Sequence, residues 1–396
     1  MEKPLTGIRV LDLTRLLPGP VCTLHLADMG ADVIKIEDTQ EGDYARWMGV
    51  IKPRQSGYFL AVNRNKRALS LDLRHPKGKE IFLKLAKTAD VIVESFRPEV
   101  VDKLGIGYAD IKAINPKVVY CAITGYGQTG PYKFRAGHDL NYCSYAGVAD
   151  QIGERGGAPI IPNFQIADLA GGALSAAMGI LAALIAVSRT GVGTYIDVSM
   201  TDCTLAHNVV PLSTLVREGK TQPRSEDFIS GALPCYGVYK TQDARYVALS
   251  ALEGKFWQTF CQAVQHPEWI PHLWVTGEQA QQLQAEVAAL FASKTQAQWV
   301  AALTDVDCCF APILSLEEAQ HDPQFQERQM FVKTQHPTEG EVLQFAFPIK
   351  FSAFACEVER HAPLLGEHSA EIVAQLGYAA AEIEQLQTEG ILKTAV

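Results

Sequence analysis

The sequence predicts an α/β protein built on a mostly parallel β-sheet. In the first 125 residues, short apolar stretches typical of buried strands alternate with longer stretches typical of helices. The chain has 396 residues, more than one ordinary small domain holds, so two lobes are expected. Hydrophobic residues make up 47% of the chain and charged residues 20%, which is typical of a packed globular protein and not of a disordered one.

The predicted strands of this region are short and nearly continuous in their apolar character. The strands are Gly7–Thr14, Asp32–Glu37, Asp90–Glu94 and Val118–Thr124, and the helices between them include Pro20–Met29 and Lys77–Lys87. Strands of this kind, alternating with helices, indicate a sheet that is covered on both faces. In such a sheet the ligand is expected beyond the carboxyl ends of the strands.

The rest of the chain predicts a long helix followed by a second lobe. Gln165–Arg189 is the most apolar predicted helix. Its segment Leu169–Val187 falls just short of a membrane span, and its small residues favour a buried, closely packed helix. The polar, turn-rich stretch 217–227 is predicted to be a linker, and residues 228–329 are predicted to form the small domain.

Charge and motif content exclude several classes of function. Lys plus Arg number 35 and Asp plus Glu 44, a net charge of −9, so neither nucleic acid nor a membrane is an expected partner. The nine cysteines show no zinc-ligand spacing, so no metal is expected. Reduced thiols and an amino terminus without a signal-peptide core predict a cytoplasmic protein. The motifs GxGxxG, GxxxxGK[ST] and GxSxG are missing, which argues against NAD, ATP and a serine nucleophile.

Three ionisable residues stand at positions suited to chemistry. His138 follows Gly137 at the predicted start of a helix and is either an acid/base group or an ordinary turn histidine. Asp168 begins the long apolar helix, as its N-cap or as a base or nucleophile that the helix amino terminus keeps ionised. The glycines after Asp168 leave room for a ligand. Glu253, between a strand and a helix, could orient a histidine.

Several segments, in order along nearly the whole chain, are similar to those of one known family. They are Leu5–Leu13, Pro18–Pro20, Leu26–Glu37, Asp90–Pro98, Leu104–Gly105, Ile123–Gly130, Gly137–Tyr142, the segment around Asp168, and Leu365–Ser369. Together they resemble the class III CoA-transferase and α-methylacyl-CoA racemase family. The resemblance implies a Rossmann-like large domain of residues 1–216 and 330–396 beside a smaller α+β domain. It also implies an interlocked homodimer, an acyl-CoA substrate that carries coenzyme A, and no further cofactor.

The resembled family contains two chemistries. In its transferases, an aspartate matching Asp168 attacks an acyl-CoA, and the resulting aspartyl-CoA passes CoA to a second carboxylic acid. In its racemases, the matching aspartate and the histidine of a GHD[IL]NY segment exchange the α-proton of a 2-methylacyl-CoA. This chain has GHDLNY at Gly137–Tyr142 and Glu253 at the position of the racemase glutamate, so the resemblance favours a racemase. Helix-end amides near Asp168 would then stabilise the enolate. A transferase and a non-catalytic acyl-CoA-binding protein are the alternatives.

The resemblance also points to residues that would bind coenzyme A. They are Leu71, Asp72, Leu73, Arg74, Ser95, Phe96, Arg97, Lys103, Gly137, Asp139 and Tyr142. Arg97 has independent support because it follows a predicted strand, whereas solvated surface charges are the alternative for Arg74 and Lys103. Some racemases have a basic residue where this chain has Asp38. The phosphate contact at that point is therefore either lost or expected from elsewhere, with Arg46, Arg64 and Lys66 as the candidates.

Overall fold

The structure, a computed structural model, describes residues 2–395. Within this range the strands are β1 Arg9–Leu13, β2 Asp32–Glu37, β3 Lys66–Leu71, β4 Val91–Glu94, β5 Val119–Thr124, β6 Thr194–Ser199, β7 Tyr236–Lys240, β8 Tyr246–Ser250, β9 Phe310–Pro312, β10 Phe331–His336, β11 Gly340–Phe345 and β12 Leu392–Lys393.

The α-helices of the same range are α1 Pro18–Asp28, α2 Gly57–Val62, α3 Pro76–Ala86, α4 Val100–Leu104, α5 Tyr108–Ile114, α6 Asp139–Tyr145, α7 Ser175–Thr190, α8 Met200–Ala206, α9 Val209–Glu218, α10 Gly254–Ala263, α11 Gly277–Phe291, α12 Gln296–Leu303, α13 Leu316–His321, α14 Pro323–Glu327, α15 Ser369–Gln375 and α16 Ala380–Thr388. A π-helical stretch, Ala167–Leu174, leads directly into α7. Short 3-10 turns are Tyr44–Trp47, Ala149–Gln151 and Pro267–His272.

The chain forms two compact units. The first contains the residues up to Ala146, then Asn163–His207, and the residues from Gln324 onward. The second contains Gly147–Pro162 and Asn208–Pro323. These bounds differ from the domain limits expected from the sequence. Residues 147–162 after α6 and residues 208–216 after α8 belong to the second unit, and residues 324–329 belong to the first.

The first unit is built on a seven-stranded sheet with the order β12-β3-β2-β1-β4-β5-β6. The six strands from β1 to β6 are parallel, and only β12 runs antiparallel, beside β3. The prediction of a mostly parallel sheet is therefore confirmed. Apolar side chains of the sheet and of α3, α5, α15 and α16 form one buried cluster, which includes Leu11, Ile34, Leu69, Phe82, Ile92 and Ile372.

The carboxyl-terminal segment completes this sheet, as the family resemblance implies. β12 pairs with β3 through the register Leu392 to Leu71, and the amide of Asp72 donates to the carbonyl of Ile391 at 2.9 Å. At the same edge, the amide of Ser70 donates to the hydroxyl of Ser369 at 3.0 Å. Residues more than 290 positions apart in the chain are thus neighbours in one sheet.

The run from the π-helical stretch to the end of α7 corresponds to the long apolar helix of the sequence. By length and composition alone, Ala167–Thr190 could cross a membrane, and 39% of its most apolar window is buried in the protein. One face, with Ala176, Ile180 and Ala183, is buried, whereas Met178 is 69% exposed. The helix, expected from the sequence to be buried and closely packed, is therefore buried along one face only.

The second unit contains a three-stranded antiparallel sheet, β7-β8-β9, with helices packed beside it. Its core is strongly aromatic and includes Trp257, Phe260, Phe291 and Trp299. The stretch 217–227, predicted as a linker, belongs to this unit. It is fixed there because Arg224 Nε donates to the carbonyl of Asp150 at 2.7 Å and the buried Asp227 accepts from the Thr214 hydroxyl at 3.0 Å.

Candidate functional site

An open cleft of about 650 Å³ lies in the first unit, beyond the carboxyl ends of the neighbouring strands β1, β4 and β5. Arg15 follows β1, the segment Ser95–Pro98 follows β4, and Gly125 follows β5. The loop before α6 and the start of the π-helical stretch complete the lining. This is the edge of the sheet at which the sequence predicted the ligand.

His138 lines the cleft at the amino end of α6. It is the N-cap residue in an extended conformation, its amide donates to Asn141 Oδ1 at 3.1 Å, and its side chain is exposed. The preceding Gly137 packs against Tyr142, whose hydroxyl donates to the Gly137 carbonyl at 2.5 Å. A β-carbon at residue 137 would lie 2.7 Å from the Tyr142 ring, so this position requires glycine. The predicted helix start at His138 is confirmed.

Asp168 lines the same cleft from the π-helical stretch. The amide of Asp168 donates to Asp139 Oδ1 at 3.0 Å. Asp139 directly follows His138, so this bond links the start of α6 to the π-helical stretch that carries Asp168. Ile166 is the N-cap of this stretch, so of the roles considered for Asp168 the N-cap role is excluded. π-helical turns inserted at the start of an α-helix are frequent at functional sites.

The Asp168 carboxyl group has an altered proton affinity. Burial, together with the negative charge of Asp139, raises the pKa of Asp168 from 3.8 to about 7. The sequence-based expectation was that the helix amino terminus keeps Asp168 ionised, but burial and the charge of Asp139 favour the protonated form, so the carboxyl group is only partly ionised at neutral pH. A carboxyl group with this pKa can both accept and donate a proton near neutral pH.

The glycines after Asp168 serve helix packing. A β-carbon at Gly171 would lie 2.7 Å from the Met200 carbonyl oxygen, and one at Gly172 would lie 2.8 Å from Pro18 Cβ. They let the π-helical stretch approach α8 and α1 closely, and both are buried. The expectation that they leave room for a ligand is therefore wrong.

Amides at the start of the π-helical stretch already have acceptors within the protein. The Asp168 amide donates to Asp139, and the Leu169 amide donates to the Gln165 carbonyl at 3.0 Å. Neither is free to stabilise an enolate oxygen, as the sequence analysis expected of helix-end amides near Asp168.

Asp168→Asn is expected to stabilise the protein at alkaline pH. Folding raises the pKa of Asp168 to about 7, so folding favours its protonated form. The protonated Asp168 contributes its full share to the free energy of unfolding below the unfolded pKa of about 4, and this share is lost as the pH rises to about 7. Asparagine does not ionise, so the variant has no such loss. The variant should therefore melt at a higher temperature than the wild type at pH 8 and at the same temperature near pH 4. Thermal melts at both values check this.

The exposed Asp305, changed to asparagine, is the matched control for that experiment and should show no such pH-dependent difference. Equal melting temperatures of the wild type and Asp168→Asn at pH 8 would contradict the raised pKa.

The residues predicted to bind coenzyme A lie in several places. Ser95, Phe96, Arg97, Gly137 and Tyr142 line the cleft. Ser95, Phe96 and Arg97 lie in the loop after β4. The buried Glu94 holds this loop, because its Oε2 accepts from the Phe96 amide at 2.7 Å.

The other predicted CoA-binding residues have different surroundings. Leu71 is buried in β3, and Asp72, which begins the turn after it, accepts from the Arg74 amide at 3.0 Å. Leu73 packs against the main cluster, and Lys103 is exposed on α4. Asp139 bonds to Asp168 as described. A contact of these residues with CoA stays a prediction.

The three cations expected to replace a basic residue at position 38 are buried and already paired. Arg46 Nη2 lies 2.7 Å from Glu37, Arg64 Nη2 lies 2.7 Å from Asp28, and Lys66 Nζ lies 3.1 Å from Asp12. Each would have to give up a buried ion pair to reach a ligand, which is costly. They hold the fold together and do not line the cleft.

Three cations that the sequence analysis missed do line the cleft: Arg15, Lys133 and Arg135. Arg15 directly follows a predicted strand, the same signal that drew attention to Arg97. Lys133 and Arg135 precede His138 in a glycine-containing loop, where no local pattern distinguishes them from surface charges. With Arg97 they give the cleft four positive side chains, which suits a phosphorylated ligand.

Glu253 belongs to the second unit, where it is the N-cap residue of α10. The carbonyl of Glu253 accepts from the amides of Phe256 and Trp257 at 3.0 and 3.1 Å, which fixes the first turn of that helix. Its predicted role beside His138 stays a prediction.

Comparison with known proteins identifies similar chains. A family model described as CoA-transferase family III matches residues 5–369. Succinyl-CoA:glutarate CoA-transferase of Mus musculus is 34% identical, over 99% of this chain and 91% of the relative. Alpha-methylacyl-CoA racemase of Homo sapiens is 32% identical, over 98% of both chains. The crystal structure of a CAIB/BAIF family protein from Brucella suis superposes with a TM-score of 0.83 and 31% identity, covering 95% of this chain and all of that one.

Proposed function

Because the chain belongs to CoA-transferase family III, we propose that it acts on an acyl-CoA thioester, and specifically that it is an α-methylacyl-CoA racemase. The observation that carries this proposal is that His138 and Asp168 line one cleft, with the pKa of Asp168 raised to about 7. An acid/base group works best when its pKa lies near the operating pH. The human racemase, aligned over 98% of this chain, adds support.

In the proposed reaction, one side chain removes the α-proton of a 2-methylacyl-CoA and the other returns a proton to the opposite face. His138 takes the proton from one enantiomer and Asp168 from the other. The intermediate is an enolate, whose oxygen needs hydrogen-bond donors or positive charge nearby. No bond to the enzyme forms, and coenzyme A enters only as part of the substrate.

The second candidate function is CoA transfer, which the 34% identical mouse relative favours by its name. Here the ionised Asp168 carboxylate adds to the thioester carbonyl and expels the CoA thiolate, giving a mixed anhydride. The thiolate then attacks the Asp168 carbonyl and releases the first acid as a carboxylate. A second carboxylate then attacks the carbonyl of the aspartyl-CoA and expels the CoA thiolate, giving a new mixed anhydride. The thiolate attacks the carbonyl of the second acid, which forms the new acyl-CoA and releases the Asp168 carboxylate. A pKa of about 7 leaves part of Asp168 protonated at neutral pH, which hinders this route.

Proton NMR of a 2-methylacyl-CoA in D₂O separates the two functions. We expect loss of the α-proton signal, with no new acyl-CoA in a parallel sample that contains succinate. Formation of succinyl-CoA without deuterium at the α-carbon would overturn the racemase and establish the transferase. Neither signal, with CoA still bound, would favour an acyl-CoA-binding protein.

A further inference from the structure

The two loops that line the inner part of the cleft follow β1 and β4. The chain runs from β1 through β2 to β3 on one side of β1 and then returns to β4 on its other side, so the order of the strands reverses there and a crevice opens between the ends of β1 and β4. Nucleotide ligands of open parallel sheets bind in this crevice. Arg15 stands on the β1 side of it, and Phe96 and Arg97 stand on the β4 side.

Arg15 is held in place by both of these loops. Its amide donates to the Ser95 hydroxyl at 3.2 Å, which ties the loop after β1 to the loop after β4. Its guanidinium group lies over two aromatic rings, 5.0 Å from the centre of Tyr44 and 5.7 Å from that of Phe96. The next residue, Leu16, has a positive φ of 66° and donates its amide to the buried Asp43 at 2.9 Å.

Asp38 fixes the far end of the Arg15 side chain. Arg15 Nη2 donates to Asp38 Oδ2 at 3.1 Å. The other carboxylate oxygen, Oδ1, accepts from the amides of Gln40, Glu41 and Gly42 at 3.0–3.2 Å. Burial alone raises the pKa of Asp38, but these amides and Arg15 outweigh it and lower the pKa. Asp38 is therefore a rigid anion that orients the arginine.

The anchored guanidinium keeps further donors for a ligand. An arginine has five N–H donors, and within residues 2–395 Asp38 is the only side chain that accepts from this group. Its side chain is 28% exposed, so a ligand in the cleft can reach it. Lys133, by contrast, lies 3.2 Å from Glu99, and Arg135 donates to the Tyr145 hydroxyl at 2.5 Å.

We infer that Arg15 binds a phosphate group of the acyl-CoA nucleotide, and that Asp38 is the anchor that orients it. This inference rests on the proposed acyl-CoA function. The cation for this phosphate thus comes from the loop after β1. Tyr44 and Phe96 flank the guanidinium group, and its remaining N–H donors are available to a ligand in the cleft.

The test is the binding of CoA by Arg15→Gln, measured by titration calorimetry so that it does not depend on turnover. We expect the dissociation constant of CoA to rise about 10- to 100-fold, the range for loss of a charged hydrogen-bond partner. Arg15→Lys, which keeps the charge without the planar fork, should fall between the variant and the wild type. Lys117→Gln, an exposed cation at the opposite edge of the sheet, is the matched control and should bind as the wild type does.

Shortened ligands identify the phosphate. If the defect of Arg15→Gln disappears with 3′-dephospho-CoA, Arg15 binds the 3′-phosphate. If it persists there and disappears with pantetheine, Arg15 binds the diphosphate. Equal affinity of Arg15→Gln and the wild type for CoA, or an equal loss with pantetheine, overturns the inference alone. A wild type that does not bind CoA overturns both the inference and the proposed function.

Discussion

Replacement of His138 by alanine is expected to abolish interconversion of the two enantiomers of a 2-methylacyl-CoA. Loss of one positioned acid/base group lowers the rate by a factor of about 10²–10⁴. The His138 side chain is exposed in the cleft and is not part of the hydrophobic core, so the variant should keep the fold. The rate of interconversion, followed by chiral analysis of the hydrolysed acid, measures the effect.

A two-base reaction also predicts which enantiomer loses α-proton exchange in each variant. His138→Ala should stop solvent exchange of the α-proton in the enantiomer that faces His138, while Asp168 still exchanges the other. Asp168→Asn should show the opposite pattern. In the transferase alternative, His138→Ala keeps CoA transfer, whereas Asp168→Asn loses it.

The exposed His321 on α13, changed to alanine, is the control for the histidine substitution and should leave the rate unchanged. If His138→Ala still interconverts the two enantiomers at the full rate, His138 is not an acid/base group of the reaction. Loss of exchange in both enantiomers with either variant would contradict two separate bases.

Replacement of Lys66 by methionine is expected to lower the free energy of unfolding by about 3–5 kcal/mol, because it leaves a buried carboxylate without its partner. Lys66 on β3 and Asp12 on β1 are both fully buried, and their side chains meet across β2 with Nζ 3.1 Å from Oδ2. Lys66 Nζ also donates to the Pro20 carbonyl and to Asn63 Oδ1, both at 2.9 Å. Chemical denaturation followed by circular dichroism checks the loss.

The pKa values of Lys66 and Asp12 also reflect the interaction between these two side chains. Burial lowers the pKa of Lys66 to about 8 although Asp12 acts against it. Burial would raise the pKa of Asp12, but Lys66 and Lys35 outweigh it and bring the value to about 2. Asp12 is thus ionised at neutral pH while Lys66 is present, and removal of Lys66 takes away the main charge that offsets the burial of this carboxylate.

Lys77→Met is the matched control, since Lys77 forms an exposed pair with Glu389 at 2.9 Å and its loss should leave the denaturation midpoint unchanged. A midpoint for Lys66→Met equal to that of the control would show that the buried pair adds nothing to stability.

Strand β3 shows where hydrophobic patterning fails. β2 was predicted to the residue, and β1, β4 and β5 within one or two residues, because their apolar runs are continuous. β3 begins Lys66-Arg67, and charged residues normally indicate exposure. In the structure both are buried, Lys66 against Asp12 and Arg67 Nη2 at 2.7 Å from Asp32. The pairing partners lie 35 or more residues away in sequence, so no local pattern could reveal them.

The candidate site divides in the same way. The sequence predicted that His138 starts a helix, and the resemblance joined it to Asp168. The raised pKa of Asp168 depends on burial and on Asp139, which the chain brings close only on folding. The glycines after Asp168 were misjudged because an open space and a close helix contact require the same residue type. Arg15 follows a predicted strand as Arg97 does, but its pairing with Asp38, which lies beyond a different strand, is visible only in the folded chain.

β12, which covers the β3 edge of the sheet, is the last strand of the chain to be synthesised. Until residues 392–393 have left the ribosome, β3 is an unpaired edge with backbone donors and acceptors exposed. The parallel strands from β1 to β6 are all synthesised some 190 residues before that cover arrives. During this interval the nascent chain exposes an unpaired strand edge, the kind of surface through which incompletely folded chains aggregate and which chaperones protect.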